Sequence, residues 1–146
     1  MTHLLIDTSV LIKWFHSDGE SELAESRTIR RAHVSGDLDA HVLDLATYEV
    51  GNVLLRALRW EPTQVADQLD DLHTVLGSPL VMTADWLRHA AALAHHHRLS
   101  FYDASWAAAS DKLNMPLVSA DRQLLATGLA ESPSATVARL KLRNRH

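Results

Sequence analysis

The sequence lacks cysteine and has few glycines and aromatic residues, and these scarcities exclude several classes of protein. Without cysteine the chain can form neither a disulfide nor a thiolate metal site. No stretch approaches the ~20 apolar residues of a membrane-spanning helix, and no basic segment with a long apolar run opens the chain. We therefore expect a cytoplasmic protein without a membrane segment.

Several sequence motifs of catalysis are also missing. There is no glycine-rich phosphate-binding loop and no Gly-x-Ser-x-Gly nucleophile motif. The ten histidines include the run His95–His97 but no His-x-x-x-His pair. Adjacent residues of a helix point about 100° apart, because a turn has 3.6 residues, so this run disfavours a histidine metal site.

Length and charge set further bounds. With 146 residues, 47% of them hydrophobic, the chain can bury one core but is short for two ordinary domains. We predict a single domain over residues 1–146. The net charge of −4 argues against a protein that coats nucleic acid nonspecifically.

Strand-like and helical segments alternate along the chain. Residues 3–6 and 117–119 read as buried strands and residues 136–140 as a last strand, while Asp44 begins a helix that continues to about Trp60. Such alternation predicts an α/β fold, in which a mainly parallel sheet has helices on both faces.

Four acids occupy positions from which their side chains can converge. Asp7 and Asp121 each follow a strand, Asp103 opens a helix, and Glu49 lies inside one. Ligands of open α/β sheets bind outside the carboxyl ends of the strands. Two unit charges ~4 Å apart interact by roughly 4 kcal/mol at an effective dielectric of 20, so such acids resist ionising together unless cations neutralise them.

Carboxylate oxygens suit Mg²⁺ or Mn²⁺, and such a site suggests metal-assisted phosphodiester hydrolysis. Three polar residues have positions that suit support of this site. Ser9 and Ser119 can orient the strand-end acids or a bound water, and Asn52 lies one helical turn after Glu49. The alternative interpretation is that the four acids are helix caps and solvated surface charges.

Four segments of the chain together resemble the signature segments of PIN-domain ribonucleases, and most closely those of VapC-type toxins of bacterial toxin–antitoxin pairs. These segments span residues 5–12, 48–54, 99–104 and 117–124. The resemblance implies a PIN-like parallel sheet of about five strands flanked by helices. It also implies a Mg²⁺ or Mn²⁺ site for endonucleolytic RNA cleavage, formed by Asp7, Glu49, Asp103 and Asp121.

Within that site the resemblance makes Asp7 and Asp103 the firmest metal ligands, completed by Glu49 and Asp121 directly or through water. Ser119 stands where the family usually has threonine, and it keeps the hydroxyl. The implied partners are an RNA substrate, a cognate antitoxin protein and a second copy of the chain in a homodimer. We expect an antitoxin helix to cross the region from Val10 to Phe15.

Other interpretations remain open from the sequence. A housekeeping PIN nuclease without a toxin role would share the same site. Aspartyl-phosphate phosphatases also begin with a strand-end aspartate, but Ser9 stands where their second aspartate is needed. Phosphoacceptor signalling domains usually carry paired acids after the first strand and a Lys-Pro after the last, and neither pattern is found here.

Overall fold

The centre of the molecule is a short parallel sheet, and the computed structural model describes it within residues 1–143. Its strands are β1 (His3–Ile6), β2 (Asp39–His41) and β3 (Leu117–Val118), in the order β2-β1-β3. Residues Leu4 to Ile6 are fully buried. Such a continuous apolar run is typical of a strand covered on both faces.

Helices follow the strands and flank the sheet, as the alternating pattern predicts. Their bounds within the described residues are α1 Thr8–Leu11, α2 Leu23–Val34, α3 Leu45–Asn52, α4 Pro62–Leu76, α5 Ala84–His97, α6 Phe101–Leu113, α7 Arg122–Thr127 and α8 Pro133–Leu140. A 3₁₀ turn, Ile12–Trp14, continues α1. None of the helices in residues 1–143 combines the length and apolar character needed to cross a bilayer.

The sheet has three strands rather than about five, but two more segments pair with its edges. Leu80 lies parallel to Leu43 in a single bridge, and Glu131 lies parallel to Val118 in another. A proline beside each segment limits its extension on that side, because proline has no N–H to donate to a ladder. Pro79 precedes the first segment, and Pro133 follows the second after one residue. The α/β fold with a parallel sheet is therefore confirmed, with outer strands shortened to single bridges.

The predicted strand over residues 136–140 is wrong, because this segment is the helix α8. The side chain of Ser132 caps the helix by accepting a bond from the N–H of Ala135, and Pro133 occupies the first turn. Both are helix-start signals. Val137 and Leu140 pack against the core from this helix.

The helix predicted from Asp44 to about Trp60 changes its winding near the middle. After α3, a π-helical turn covers Val53–Ala57, in which the N–H of Leu58 donates to the carbonyl of Val53. Such turns are rare in proteins, and those that occur are often located at functional sites. Here the turn follows α3, the helix that carries Glu49.

Candidate active site

Asp7 lies at the carboxyl end of β1 and is almost completely buried, with 5% of its surface exposed. Its backbone N–H donates to Val118 of β3, and this bond aligns the ends of the two strands. Its Oδ2 accepts hydrogen bonds from Ser119 Oγ at 2.7 Å and from Ser9 Oγ at 2.8 Å. The side chain does not cap α1, so capping does not explain why this acid is buried.

The two serine hydroxyls connect separate parts of the chain around Asp7. Ser119 Oγ accepts a bond from the backbone N–H of Asp121 while it donates to Asp7. Ser9 Oγ accepts a bond from the backbone N–H of Ala120 while it donates to the same carboxylate oxygen. Each hydroxyl therefore has a fixed direction of donation, and the orientation of the Asp7 carboxylate is fixed with it.

Glu49 is half-buried on α3 and is held by two donors on other elements. Thr8 Oγ1 and Trp106 Nε1 both donate to its Oε1, each at 3.1 Å. Trp106 is fully buried in α6. Both bonds go to one carboxylate oxygen, so Oε2 is not occupied by either donor.

Asp103 and Asp121 reach the same region from the starts of two helices. Asp103 lies in the first turn of α6, and its N–H donates to Ser100, which is the residue that caps this helix. Asp103 is therefore not the cap that opens the helix. Asp121 does cap its helix, because its Oδ1 accepts bonds from the N–H groups of Gln123 and Leu124 at the start of α7.

The charges of these four acids act on one another, which indicates that the acids lie near each other. Burial raises the pKa of Asp7 to about 6, against the lowering effect of Ser119 and Ser9, and the charge of Glu49 raises it further. Burial also raises the pKa of Glu49, and the Asp103 charge adds to that shift. The pKa of Asp103 is raised by burial and then by the charges of Asp121 and Asp7.

No basic side chain compensates this negative charge within residues 1–143. The ion pairs of that region join other residues, such as Lys13 with Glu20 and Arg139 with Glu131. Buried carboxylates that repel each other and have no cationic partner are unfavourable when ionised. The donor set of hard oxygens and the missing counter-charge both fit a divalent cation.

Asn52 lies at the end of α3 with an exposed side chain, which makes no hydrogen bond to Glu49 within the described residues. Thr8 and Trp106 hold Glu49 instead. Thr8 follows Asp7 directly and has a usable hydroxyl, so the sequence offered a signal for it. Trp106 is 57 positions from Glu49 and has the pattern of a core residue, so no local sequence signal indicates its role.

The family model of the PIN domain matches residues 4–128 of the chain. This range contains all four acids, β2, β3 and all of β1 except His3. The chain belongs to the PIN domain family. The predicted family resemblance is confirmed.

Two curated relatives of this PIN domain come from Pyrobaculum aerophilum. Ribonuclease VapC3 is 32% identical over 125 residues, which are 83% of this chain and 91% of the relative. Exonuclease VapC9 is 35% identical over 85 residues, which are 58% of this chain and 64% of the relative.

A solved structure supports the fold. The crystal structure of PAE2754 from Pyrobaculum aerophilum matches this PIN domain with a TM-score of 0.66 at 27% identity. The match covers 96% of this chain and 97% of the other. The three short strands and their flanking helices are therefore arranged as in a solved protein.

Proposed function

We propose that this PIN domain is a Mg²⁺- or Mn²⁺-dependent endoribonuclease and the toxin of a type II toxin–antitoxin pair. The observation that supports this function best is a set of four acids that repel one another, with raised pKa values for three of them. Asp7 and Asp121 follow β1 and β3, whereas Glu49 lies on α3 and Asp103 in the first turn of α6. The relatives named VapC ribonuclease and exonuclease support a nuclease of the same type.

In this proposal Asp7, Glu49, Asp103 and Asp121 hold the cation. A bound Mg²⁺ or Mn²⁺ supplies Lewis acidity at the scissile phosphate and lowers the pKa of a water beside it. The four residues provide hard oxygen donors, and their mutual repulsion in the empty site favours binding of the cation.

The remaining polar residues of the site orient these donors. Ser9 and Ser119 fix the Asp7 carboxylate, since both donate to its Oδ2. Thr8 and Trp106 fix Glu49 through Oε1, so Oε2 is the oxygen we assign to the cation or to its water. Such supporting groups typically change metal affinity or activity by roughly 10- to 100-fold when removed.

Asp103 and Asp121 both lie at the amino-terminal ends of helices. The amino terminus of α6 favours an anion at Asp103 by typically ~0.3–1 kcal/mol. Asp121 caps α7 by accepting two backbone N–H bonds at its Oδ1, and neither bond involves its Oδ2. For Asn52, whose side chain is exposed one helical turn after Glu49, we propose a role in orienting a metal-bound water.

The proposed setting is the cytoplasm, with residues 1–146 acting as one domain. The buried core of the described residues supports the single domain, because it is one cluster that includes both Leu4 and Leu124. A free nuclease endangers its cell, and we propose a cognate antitoxin that blocks the acids with an arginine, using charge-assisted hydrogen bonds. We also propose a homodimer, as the family resemblance implies.

A cleft beside Trp14 and Phe15 supports the proposed position of the antitoxin helix. Its volume is about 340 Å³. Half of its lining residues are apolar and half are polar, namely Trp14, Phe15, Leu72 and Val75 against Arg30, Gln68, Asp71 and Thr74. Such a mixed lining suits an amphipathic helix that inserts apolar anchors and carries polar groups beside them.

The nuclease function is tested by cleavage of RNA by the purified protein in Mn²⁺. Asp7→Asn and Asp103→Asn should each remove most of the activity while the fold is preserved. Asp67→Asn is the matched control, because Asp67 is an exposed acid of α4 without a hydrogen bond or ion pair in residues 1–143. Equal activity of all three variants and the parent would show that the site is misassigned.

The mode of cleavage needs a separate substrate, because one relative is named an exonuclease. A circular RNA has no ends, so only an endonuclease can open it. We expect the parent to linearise the circle. Degradation of linear RNA with an intact circle would favour an exonuclease.

The toxin role is tested in cells. Expression of the parent should arrest growth, and co-expression with a small neighbouring reading frame should relieve the arrest and yield a copurifying complex. Harmless expression of a protein that cleaves RNA in vitro would instead indicate a housekeeping PIN nuclease.

A further inference from the structure

A second group of metal-binding side chains lies at the amino-terminal part of the sheet, away from the four acids. His3 opens β1, and Asp39 and His41 are the first and last residues of β2. The parallel register pairs His3 with Asp39 and Leu5 with His41. Alternate residues of a strand share a face, so His3, Asp39 and His41 project from the same face of the sheet.

Their polar atoms are close enough for a single ion. His3 Nδ1 lies 2.9 Å from His41 Nε2 and 3.8 Å from Asp39 Oδ2. The ligand atoms of the three residues lie within 4.8 Å of one another. Tetrahedral zinc with bonds of about 2.0–2.1 Å separates its donor atoms by about 3.4 Å, and the first two distances bracket this value.

We propose that His3, Asp39 and His41 bind a divalent transition-metal ion of the Zn²⁺ class. Two imidazole nitrogens and one carboxylate oxygen are borderline donors that favour Zn²⁺, Ni²⁺ or Cu²⁺ over Mg²⁺. The acids at the other end of β1 offer only oxygen and suit Mg²⁺ or Mn²⁺. The two sites therefore differ in the metal that each selects.

The side chains of this group are accessible from solvent. The side chains of His3 and Asp39 are 45% and 47% exposed, so an ion can reach them from solvent.

His33 lies near this group but is already engaged. Its Nδ1 accepts a bond from the backbone N–H of Ala40, and its Nε2 lies 2.6 Å from the carbonyl oxygen of Val75. With both ring nitrogens occupied, His33 positions β2 and is not a ligand. Three protein ligands leave a coordination position for water or for a group from another molecule.

Without an ion, the same contact between His3 and His41 is a hydrogen bond between two neutral rings, whose planes are 27° apart. A measurement of metal binding by the purified protein distinguishes a metal site from a simple hydrogen bond between the two rings. Zn²⁺ is titrated calorimetrically into untagged protein in excess Mg²⁺, which keeps the four acids occupied. We expect one Zn²⁺ per chain, bound also by the Asp7→Asn variant.

The decisive variants are His3→Gln and His41→Gln, each of which removes one ligand. Each should weaken Zn²⁺ binding by more than the roughly 100-fold upper range for loss of a supporting group. His95→Gln is the matched control, because His95 is exposed on α5 and has no hydrogen bond or ion pair in residues 1–143. It should bind as the parent does.

Thermal unfolding provides a second measurement. Zn²⁺ should raise the unfolding midpoint of the parent in excess Mg²⁺ and leave that of His3→Gln unchanged, because the ion joins β1 to β2 only in the folded state. His3 is exposed, so this variant still decides the question if His41→Gln fails to fold. The proposal is overturned if the parent binds no Zn²⁺, if His3→Gln binds it equally well, or if only Asp7→Asn loses it.

Discussion

The burial of Asp7 predicts an inverted pH dependence of stability for the metal-free protein. The pKa of Asp7 is about 6 in the folded state, against an ordinary value of 3.8. The folded state therefore holds a proton more tightly than the unfolded state does. By linkage, the free energy of unfolding falls as the pH rises between these two values, and the loss is complete above about pH 7.

The magnitude follows from the same shift. One pKa unit corresponds to ~1.36 kcal/mol, so ionised Asp7 lowers the free energy of unfolding by about 3 kcal/mol at neutral pH. The Asp7→Asn variant has no charge to bury, and its carboxamide oxygen can still accept the bonds from Ser9 and Ser119. We expect this variant to be more stable than the parent by up to about 3 kcal/mol at pH 8, and by much less near pH 4.

The assay is urea denaturation of both proteins in EDTA from pH 4 to pH 8. Glu49 and Asp103 also have raised pKa values, and the Asp7 charge contributes to that of Asp103. The difference between the two proteins therefore reports the ionisation of Asp7 together with its repulsion of these neighbours. Asp67→Asn should follow the parent at every pH, and saturating Mn²⁺ should restore the stability of the parent at pH 8. A stability difference between parent and Asp7→Asn that does not change with pH would refute the reasoning.

Three further predictions concern supporting side chains. Trp106→Phe removes a donor to Glu49, and Mn²⁺ affinity measured by calorimetry should fall roughly 10- to 100-fold. Ser119→Ala should weaken Mn²⁺ binding by a similar factor, because Asp7 loses its 2.7 Å bond, whereas Ser119→Thr keeps the hydroxyl and should bind nearly as the parent does. Ser132→Ala removes the cap of α8 and should lower the free energy of unfolding by ~1 kcal/mol in urea.

The placement of the acids could be anticipated because it depends on local patterns. An apolar run that ends in an acid, as at Asp7, reads directly as a strand whose carboxyl end carries a ligand. The partners of Glu49 could not be anticipated in the same way. The bond from Trp106 depends on how α6 packs beside α3, and that packing is a tertiary property without a local sequence signal.

The errors in the fold have a similar origin. Thr136 and Val137 have high strand propensity, but Ser132 and Pro133 begin a helix there, and Glu131 alone pairs with the sheet. The group formed by His3 and His41 was missed because the two residues are 38 positions apart, so no spacing rule for metal ligands connects them.

The order of the strands has a consequence for the synthesis of the protein. The central strand β1 is made first, but its neighbour β3 and the hydroxyl that holds Asp7 lie 112 positions later, at Ser119. Closing so long a loop costs conformational entropy, and the contacts that offset this cost form only after β3 has been made. A nascent chain that ends before Asp121 lacks one acid of the proposed site, so we expect the protein to be inactive as a nuclease during most of its own translation.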